Sequence, residues 1–452
     1  MNLLMVLLSA LIFLGSVPQA DASLWSHILT YKANYRYPPK KNLDEERQWW
    51  ARHYDVIVGD PQLKKLAPSS RVFTYSLDLT IFKSDKYPHY GVLQQWTKEN
   101  KSNLEDCFLH FSEDTVIGTP QGDILIKGAN EKKLENRVQT FIWSSARWVV
   151  NPASKVYMTF FGQSLHKQLI EGKDGYSFDG TFIDEHGEGF TDIIIKRGGG
   201  VLEYGGKKPG EFVSAYNKDV SSFLAGLKTY VSNKTIIINT AESYHENCLQ
   251  RALAADGALM ESIITPNRHR NIIDKTWRFA ERLSDAGKMV VLNTQHNLGI
   301  PKEYDKGAYQ TVRDRAEIFA LAFYYLVKDQ GNKNVFFQIG GGWDKPFAEQ
   351  WILAQETNIG QPVAARKVLA SGKDRNGSNY AVYGREYDKA LVVMRPKDDW
   401  NYLKYDDSSG VELKLPEGSY AQLHGDGTQT AIVGSVLIRN AEAYIFLKKN
   451  NQ

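Results

Sequence analysis

Cysteine is nearly absent: Cys107 and Cys248 are the only two in 452 residues, too few for a disulfide framework or a cysteine-ligated zinc module. Charge of one sign is missing as well. The 55 Lys and Arg are opposed by 52 Asp and Glu, a balance that excludes an obligate nucleic-acid binder with a basic footprint and a chain kept disordered by self-repulsion. Several short motifs are also lacking. No G-x-S-x-G elbow occurs, no G-x-G-x-x-G follows a strand-like run, and His245-Glu246 begins H-E-x-x-H but meets Leu249. The glycine clusters at 198–200 and 205–210 do not fit a phosphate loop, because Lys207 is followed by Lys208 and Pro209. What is abundant is aromatic: 10 Trp, 24 Tyr and 20 Phe, flat surfaces suited to stacking on sugar rings.

Long apolar runs are confined to residues 3–17, LLMVLLSALIFLGSV, followed by Pro18 and Ala20-Asp21-Ala22. An apolar core before a small-x-small site reads as a secretory signal with cleavage after Ala22, although no Lys or Arg precedes it. The run is shorter than the ~20 residues of a membrane span. The expectation is therefore a secreted or periplasmic protein without stable membrane insertion. In that compartment Cys107 and Cys248 could pair, but both lie in strongly structured contexts and read as buried free thiols.

From about residue 42 to 360, short apolar runs alternate with longer amphipathic stretches. The expected strands are Asp55–Gly59, Arg71–Leu77, Val138–Trp143, Gly180–Asp184, Thr235–Asn239, Gly257–Glu261, Met289–Asn293 and Val335–Ile339. They are apolar throughout, as strands covered on both faces are. Helices are expected over Pro152–Ile170 (capped by Asn151), Val213–Val231, His245–Ala255, Ile272–Ala286, Tyr309–Lys328 and Pro346–Glu356. This alternation predicts an α/β fold, a (β/α)8 TIM barrel spanning 23–362. Two polar or glycine-rich insertions, 84–137 and 186–212, interrupt it. After Pro362 the pattern becomes short alternating runs such as YAVYGREY and KALVVMRP, which predicts a small C-terminal antiparallel β-sandwich over 363–452.

Barrel chemistry sits at the carboxyl ends of the strands. Those ends carry Asp60, Asp78, Arg147, Asp184-Glu185-His186, Asn239, Glu261, Asn293 with His296, Gln338 and, further on, Trp343. Acids and amides dominate, which suits glycoside hydrolysis by two carboxylates. Asp184 and Glu261 are the leading catalytic pair, with the others as substrate contacts. Period two along GTFIDE puts Asp184 and Glu185 on opposite sides, so one of them faces the substrate; Asp184 is favoured, with Glu185 as a charged neighbour. The plainer readings are a helix cap or loop ion pair for Asp60 and Asp78, pairing of Glu261 with Arg268 or Arg270, and structural amides at Asn239, Asn293 and Gln338.

The segments FDGTFIDE (178–185), NTAE (239–242), DGALMES (256–262) and VLNTQHN (291–297), with the N-P-A-S helix start at Asn151, resemble the glycosyl-hydrolase-like barrels related to endo-α-1,4-polygalactosaminidase and dextranase-type barrels. CFLHFSEDT (107–115), ETNIGQPVAARKVL (356–369) and GREYDKALVVMRP (384–396) extend the resemblance over most of residues 50–400. It implies a secreted barrel enzyme acting on polysaccharide, with Asp184 as the strand-four catalytic Asp and Glu261 as the strand-six catalytic Glu. The sequence departs from that pattern at His186, at the glycine-rich insertion and at Ser112-Glu113. The expected function is a glycosidase needing no cofactor and no metal, with a polysaccharide or oligosaccharide as partner and no nucleic acid. Two rival readings are a non-catalytic carbohydrate-binding barrel and a metal-dependent polysaccharide deacetylase built on Asp184, His186 and His296.

Overall fold

A computed structural model gives the fold over residues 31–32, 43–59, 63–66, 68–83, 89–119, 122–142, 145–172, 176–187, 200–241, 244–266, 268–294, 309–328, 334–339, 351–397, 410–432 and 434–449. Its centre is a sheet of eight parallel strands in chain order: Tyr31–Lys32, Val56–Val58, Arg71–Ser76, Gly180–Ile183, Thr235–Asn239, Gly257–Met260, Met289–Asn293 and Val335–Gln338. Cα atoms of the first and last strands come within 8 Å of each other, which closes the sheet into a barrel. Unbroken apolar runs suit this geometry because both faces of every strand are covered. Val56, Val58, Phe73, Phe182, Ile237, Leu259, Val291 and Phe336 fill the lumen. Their neighbours, among them Ile57, Val72, Ile183, Ile238, Met260 and Leu292, face the surrounding helices.

One expected barrel strand is misplaced. Gln139–Ile142 pairs antiparallel with Ser145–Val149, which pairs in turn with Thr80–Phe82 in a separate three-stranded sheet. The chain reverses within two residues there, whereas a parallel neighbour needs a long crossover. The first barrel strand is instead Tyr31–Lys32, too short to leave an apolar run in the sequence. One strand lost and one gained leave Gly180–Ile183 fourth and Gly257–Met260 sixth.

Helices Lys155–His166, Pro209–Val231, Glu246–Ala254, Arg270–Asp285 and Tyr309–Val327 follow the strand pattern. The cap of the first is Ser154, whose Oγ accepts from the Tyr157 amide at 3.1 Å; Asn151 accepts from the Ala153 amide one step earlier. Of the expected Pro346–Glu356 helix, the described part is a 3-10 turn at Leu353–Glu356. The C-terminal part is an antiparallel six-stranded sheet with a separate two-stranded antiparallel pair, Val411–Lys414 and Ser435–Ile438, which the chain joins through two strands of the larger sheet. Its own core includes Val382, Leu391, Val393, Leu413, Tyr420 and Phe446. Alternate residues of the same strands, including Val392, Met394 and Ile445, join the main core, where the sheet meets helix Tyr309–Val327.

Cys107 and Cys248 are both buried and do not form a disulfide, and burial pushes the Cys107 thiol up to about 12. No described helix is long and apolar enough to cross a membrane. The expected signal segment 1–22 lies outside the described residues.

Candidate active site at the strand carboxyl ends

Continuing each strand by two residues carries the lumen register upward by one layer. Phe73 leads to Tyr75, Phe182 to Asp184, Ile237 to Asn239, Leu259 to Glu261, Val291 to Asn293 and Phe336 to Gln338. The layer below is wholly apolar, so the polar groups above it form a rim of acids and amides on a dry floor.

Asn239 is the centre of this rim. Its Nδ2 donates to Asp184 Oδ1 at 2.8 Å and to Glu261 Oε2 at 2.8 Å. Two carboxylate oxygens that share one amide nitrogen can be at most twice that distance apart. Asn239 is itself held by the Ala241 amide, which donates to its Oδ1 at 2.8 Å. Asp184 also accepts from the Tyr75 hydroxyl at 2.9 Å through Oδ2, and from the Glu185 amide at 2.8 Å through Oδ1. Both oxygens therefore accept from neutral donors, an arrangement that orients an anionic carboxylate. Burial and then the negative charge of Asp184 push the Tyr75 hydroxyl far above its ordinary range, so it stays a donor. Asp184 and Glu261 are each half-buried, hence reachable from solvent.

The backbone just past these strands is strained. Glu185, Ala241 and Ser262 adopt φ of 68°, 51° and 56°, a left-handed region that non-glycine residues seldom occupy. Each immediately follows, or lies two residues beyond, a rim residue. Bonds between neighbouring strand ends stabilise these turns: His186 N to Asn239 O at 2.8 Å, Glu261 N to Ala241 O at 3.0 Å, and Ser262 N to Asn293 Oδ1 at 3.0 Å. Strain of this kind clusters at functional sites.

The other expected site residues divide into groups. Glu185 points out of the lumen, and both its oxygens meet Arg147 Nη1, at 2.5 and 2.6 Å. Arg147 lies over the Phe82 ring and also donates to Thr80. Burial raises the Glu185 carboxyl against the opposing pull of Arg147. Asp78 and His186 are completely buried, with His186 Nε2 at 2.9 Å from Asp78 Oδ1. They brace the strand-four end from behind: of the expected substrate contacts, Asp78 and His186 are sealed from solvent, and Arg147 and Glu185 pair with each other. Asn293 caps the Ser262 turn, and Gln338 lies alongside it in register. Gln338 keeps a buried Oε1 without a partner among the described residues. Arg268 donates to the Ser262 carbonyl. Asp60, His296 and Trp343 lie outside the described residues. Tyr75 was not anticipated, although the period-two step from Phe73 that singles out Asp184 applies to it equally.

Among the described residues no group of three or more His, Cys, Asp or Glu could hold a metal ion. In the deacetylase reading, His186 would have to leave its buried aspartate to join Asp184.

No family model and no curated protein matches the chain. Solved structures with a similar chain path include the α-amylase of Geobacillus thermoleovorans, at 10% identity and a TM-score of 0.45 over 95% of this chain and 99% of that one. Amy13B of Eubacterium rectale aligns at 9% identity and 0.48, over 94% and 96%. The glycoside hydrolase domain of PelA from Pseudomonas aeruginosa aligns at 12% and 0.38, over 70% and 96%. Likeness at this level carries no weight for chemistry or substrate.

Proposed function

We propose that the chain is a secreted glycoside hydrolase that cleaves an extracellular polysaccharide with Asp184 and Glu261. The observation that carries this is Asn239, whose single amide nitrogen holds both carboxylates at 2.8 Å above an apolar floor. Two acids so close and half-exposed, joined by one neutral amide, match the requirement for one nucleophile or base and one acid flanking a glycosidic bond.

The assignment of roles rests on the partners of Asp184. Asp184, accepting three hydrogen bonds, is presented as the nucleophile. Glu261 is the general acid. Asp184 attacks the anomeric carbon while Glu261 passes its proton to the departing glycosidic oxygen, leaving a glycosyl ester on Asp184. Glu261, now ionised, takes a proton from water as that water attacks the same carbon and frees Asp184. The shared nitrogen favours this two-step, configuration-retaining course. Carboxyl groups stand about 5–5.5 Å apart in retaining enzymes and about 6.5–9.5 Å apart where a water must fit between them.

The test is reducing-end release by residues 23–452 from a panel of extracellular polysaccharides that includes amino-sugar polymers, beside Asp184→Asn, with the first product anomer read by NMR. New ends from the wild type alone, appearing with retained configuration, are expected. Binding of a polymer without new ends from either protein would replace the hydrolase with a carbohydrate-binding barrel. Release of acetate that a chelator abolishes would replace it with a deacetylase.

A further inference from the structure

A second place in the molecule has the make-up of a saccharide site. Four segments that are distant in sequence meet outside the barrel: the helix Leu43–His53, the helix Tyr309–Val327, the turn around Leu353–Glu356 after strand eight, and the hairpin end His424–Thr428 of the C-terminal sheet. They enclose a cleft of about 370 Å³ lined by Trp49, His53, Trp351, Arg313, Glu356 and Asp426, among others. None of these is a strand-end residue of the catalytic rim.

The cleft is aromatic on one side. Trp49 and His53, one helical turn apart, stack at 4.1 Å and 14°, and His53 Nδ1 lies 2.7 Å from the Trp49 carbonyl. Trp351 stands nearly perpendicular to both, at 5.6 Å and 86° from Trp49 and at 4.9 Å and 81° from His53. All three rings are half-buried. Its polar side is already oriented. Glu356 Oε1 accepts from Trp351 Nε1 at 2.9 Å, and Asp426 Oδ1 accepts from the Thr428 amide at 2.9 Å. Arg313 pairs with Glu317 at 2.7 Å. The hairpin end is pinned to the barrel by Ala354 N to Gly425 O at 3.0 Å and by the Gly425 amide donating to Asp314.

We propose that this cleft is a second, non-catalytic binding site for a neutral oligosaccharide chain. A pyranose has an apolar C–H face and a rim of hydroxyls, and the cleft offers half-exposed rings beside carboxylate acceptors and a guanidinium donor. Arg313 and Glu317 balance each other, which leaves Glu356 and Asp426 in excess and disfavours an acidic sugar. Held here, a long polymer stays on the protein while the rim works elsewhere along it. The inference rests on a saccharide as the chain's ligand and not on its catalysis.

The experiment uses the full mature chain carrying Asp184→Asn, so that no probe is cleaved. Calorimetric titration with maltohexaose, cellohexaose and N-acetylchitohexaose is compared before and after adding Trp351→Ala. Because Trp351 also packs on the core, Asp426→Asn, at an exposed position, is the second variant, with thermal unfolding recorded for each. Binding of one probe that weakens about fivefold or more in both variants, while the chain with Asp184 intact and Asp426→Asn hydrolyses short soluble oligosaccharides as before, is the expected result. Binding unchanged in both variants, or no binding of any probe, overturns the proposal. A chain that binds at this cleft yet cleaves nothing refutes the hydrolase alone, and one that cleaves while both variants bind normally refutes the second site alone.

Discussion

Two groups of carboxylates in this molecule are satisfied in opposite ways. At the rim, Asp184 meets an amide nitrogen, a phenol and a backbone amide, all neutral. In the insertion before residue 138, Glu105 meets charge. Arg137 donates to both its oxygens and His110 Nε2 lies 3.1 Å away, while His110 Nδ1 reaches Glu203 at 2.7 Å. Arg137 is itself buried, its guanidinium 4.0 Å from the Phe108 ring centre and 4.8 Å from that of Trp148. A carboxylate neutralised by a buried guanidinium has its charge used up in holding the fold. In the proposed mechanism Asp184, held by neutral donors, turns its charge to the anomeric carbon instead. Glu185, one residue from Asp184, falls on the structural side because Arg147 holds it.

The sharpest break of this comparison is Asp184→Asn, which should lower reducing-end release on the order of 10³-fold or more and leave the unfolding midpoint nearly unchanged. Equal activity would place Asp184 with the structural acids. Next is Glu105→Ala, which orphans the buried Arg137. It should cost about 3 kcal/mol or more in a urea titration with little change in kcat for whatever protein remains folded. Removing one hydroxyl with Tyr75→Phe takes a single neutral donor from Asp184. About a tenfold fall in kcat is expected, as for a lost hydrogen bond to a charged group, with KM hardly moved.

The smallest effect is a pH dependence confined to the insertion. Against burial, hydrogen bonds from His110 and Arg137 hold the Glu105 carboxyl down at about 2, below its ordinary 4.5. A lowered acid stabilises the fold above the ordinary value and loses that contribution as pH falls toward about 2. Against burial, the two glutamates raise the His110 imidazole above its ordinary 6.5. A raised base contributes fully below 6.5 and loses its share as pH climbs through the raised value. The cluster therefore supports the fold best between these limits. Thermal unfolding across pH should show the alkaline decline flattened in His110→Gln and the acid decline retained; an unchanged alkaline limb would separate His110 from it.

The sequence by itself determined the class of fold and the inward residues of the rim. Fully apolar runs demand cover on both faces, the strand ends bring forward Asp184, Asn239, Glu261, Asn293 and Gln338, and period two parts Asp184 from Glu185 without any distance being known. It also held the step from Phe73 to Tyr75, which went unread because the tyrosine sits inside an apolar run. Tertiary structure alone decided the rest. Tyr31–Lys32 is a strand only because Val56–Val58 lies beside it, and Gln139–Ile142 leaves the barrel because its partner follows after two residues. That Asp78 and His186 are sealed together, that Arg147 is spent on Glu185, and that Asn239 reaches both acids at once are facts of distance between segments far apart in the chain. Periodicity assigns a side chain to a face, but its partner is set by packing across strands, and on that partner depends whether a carboxylate holds the fold or is left for chemistry.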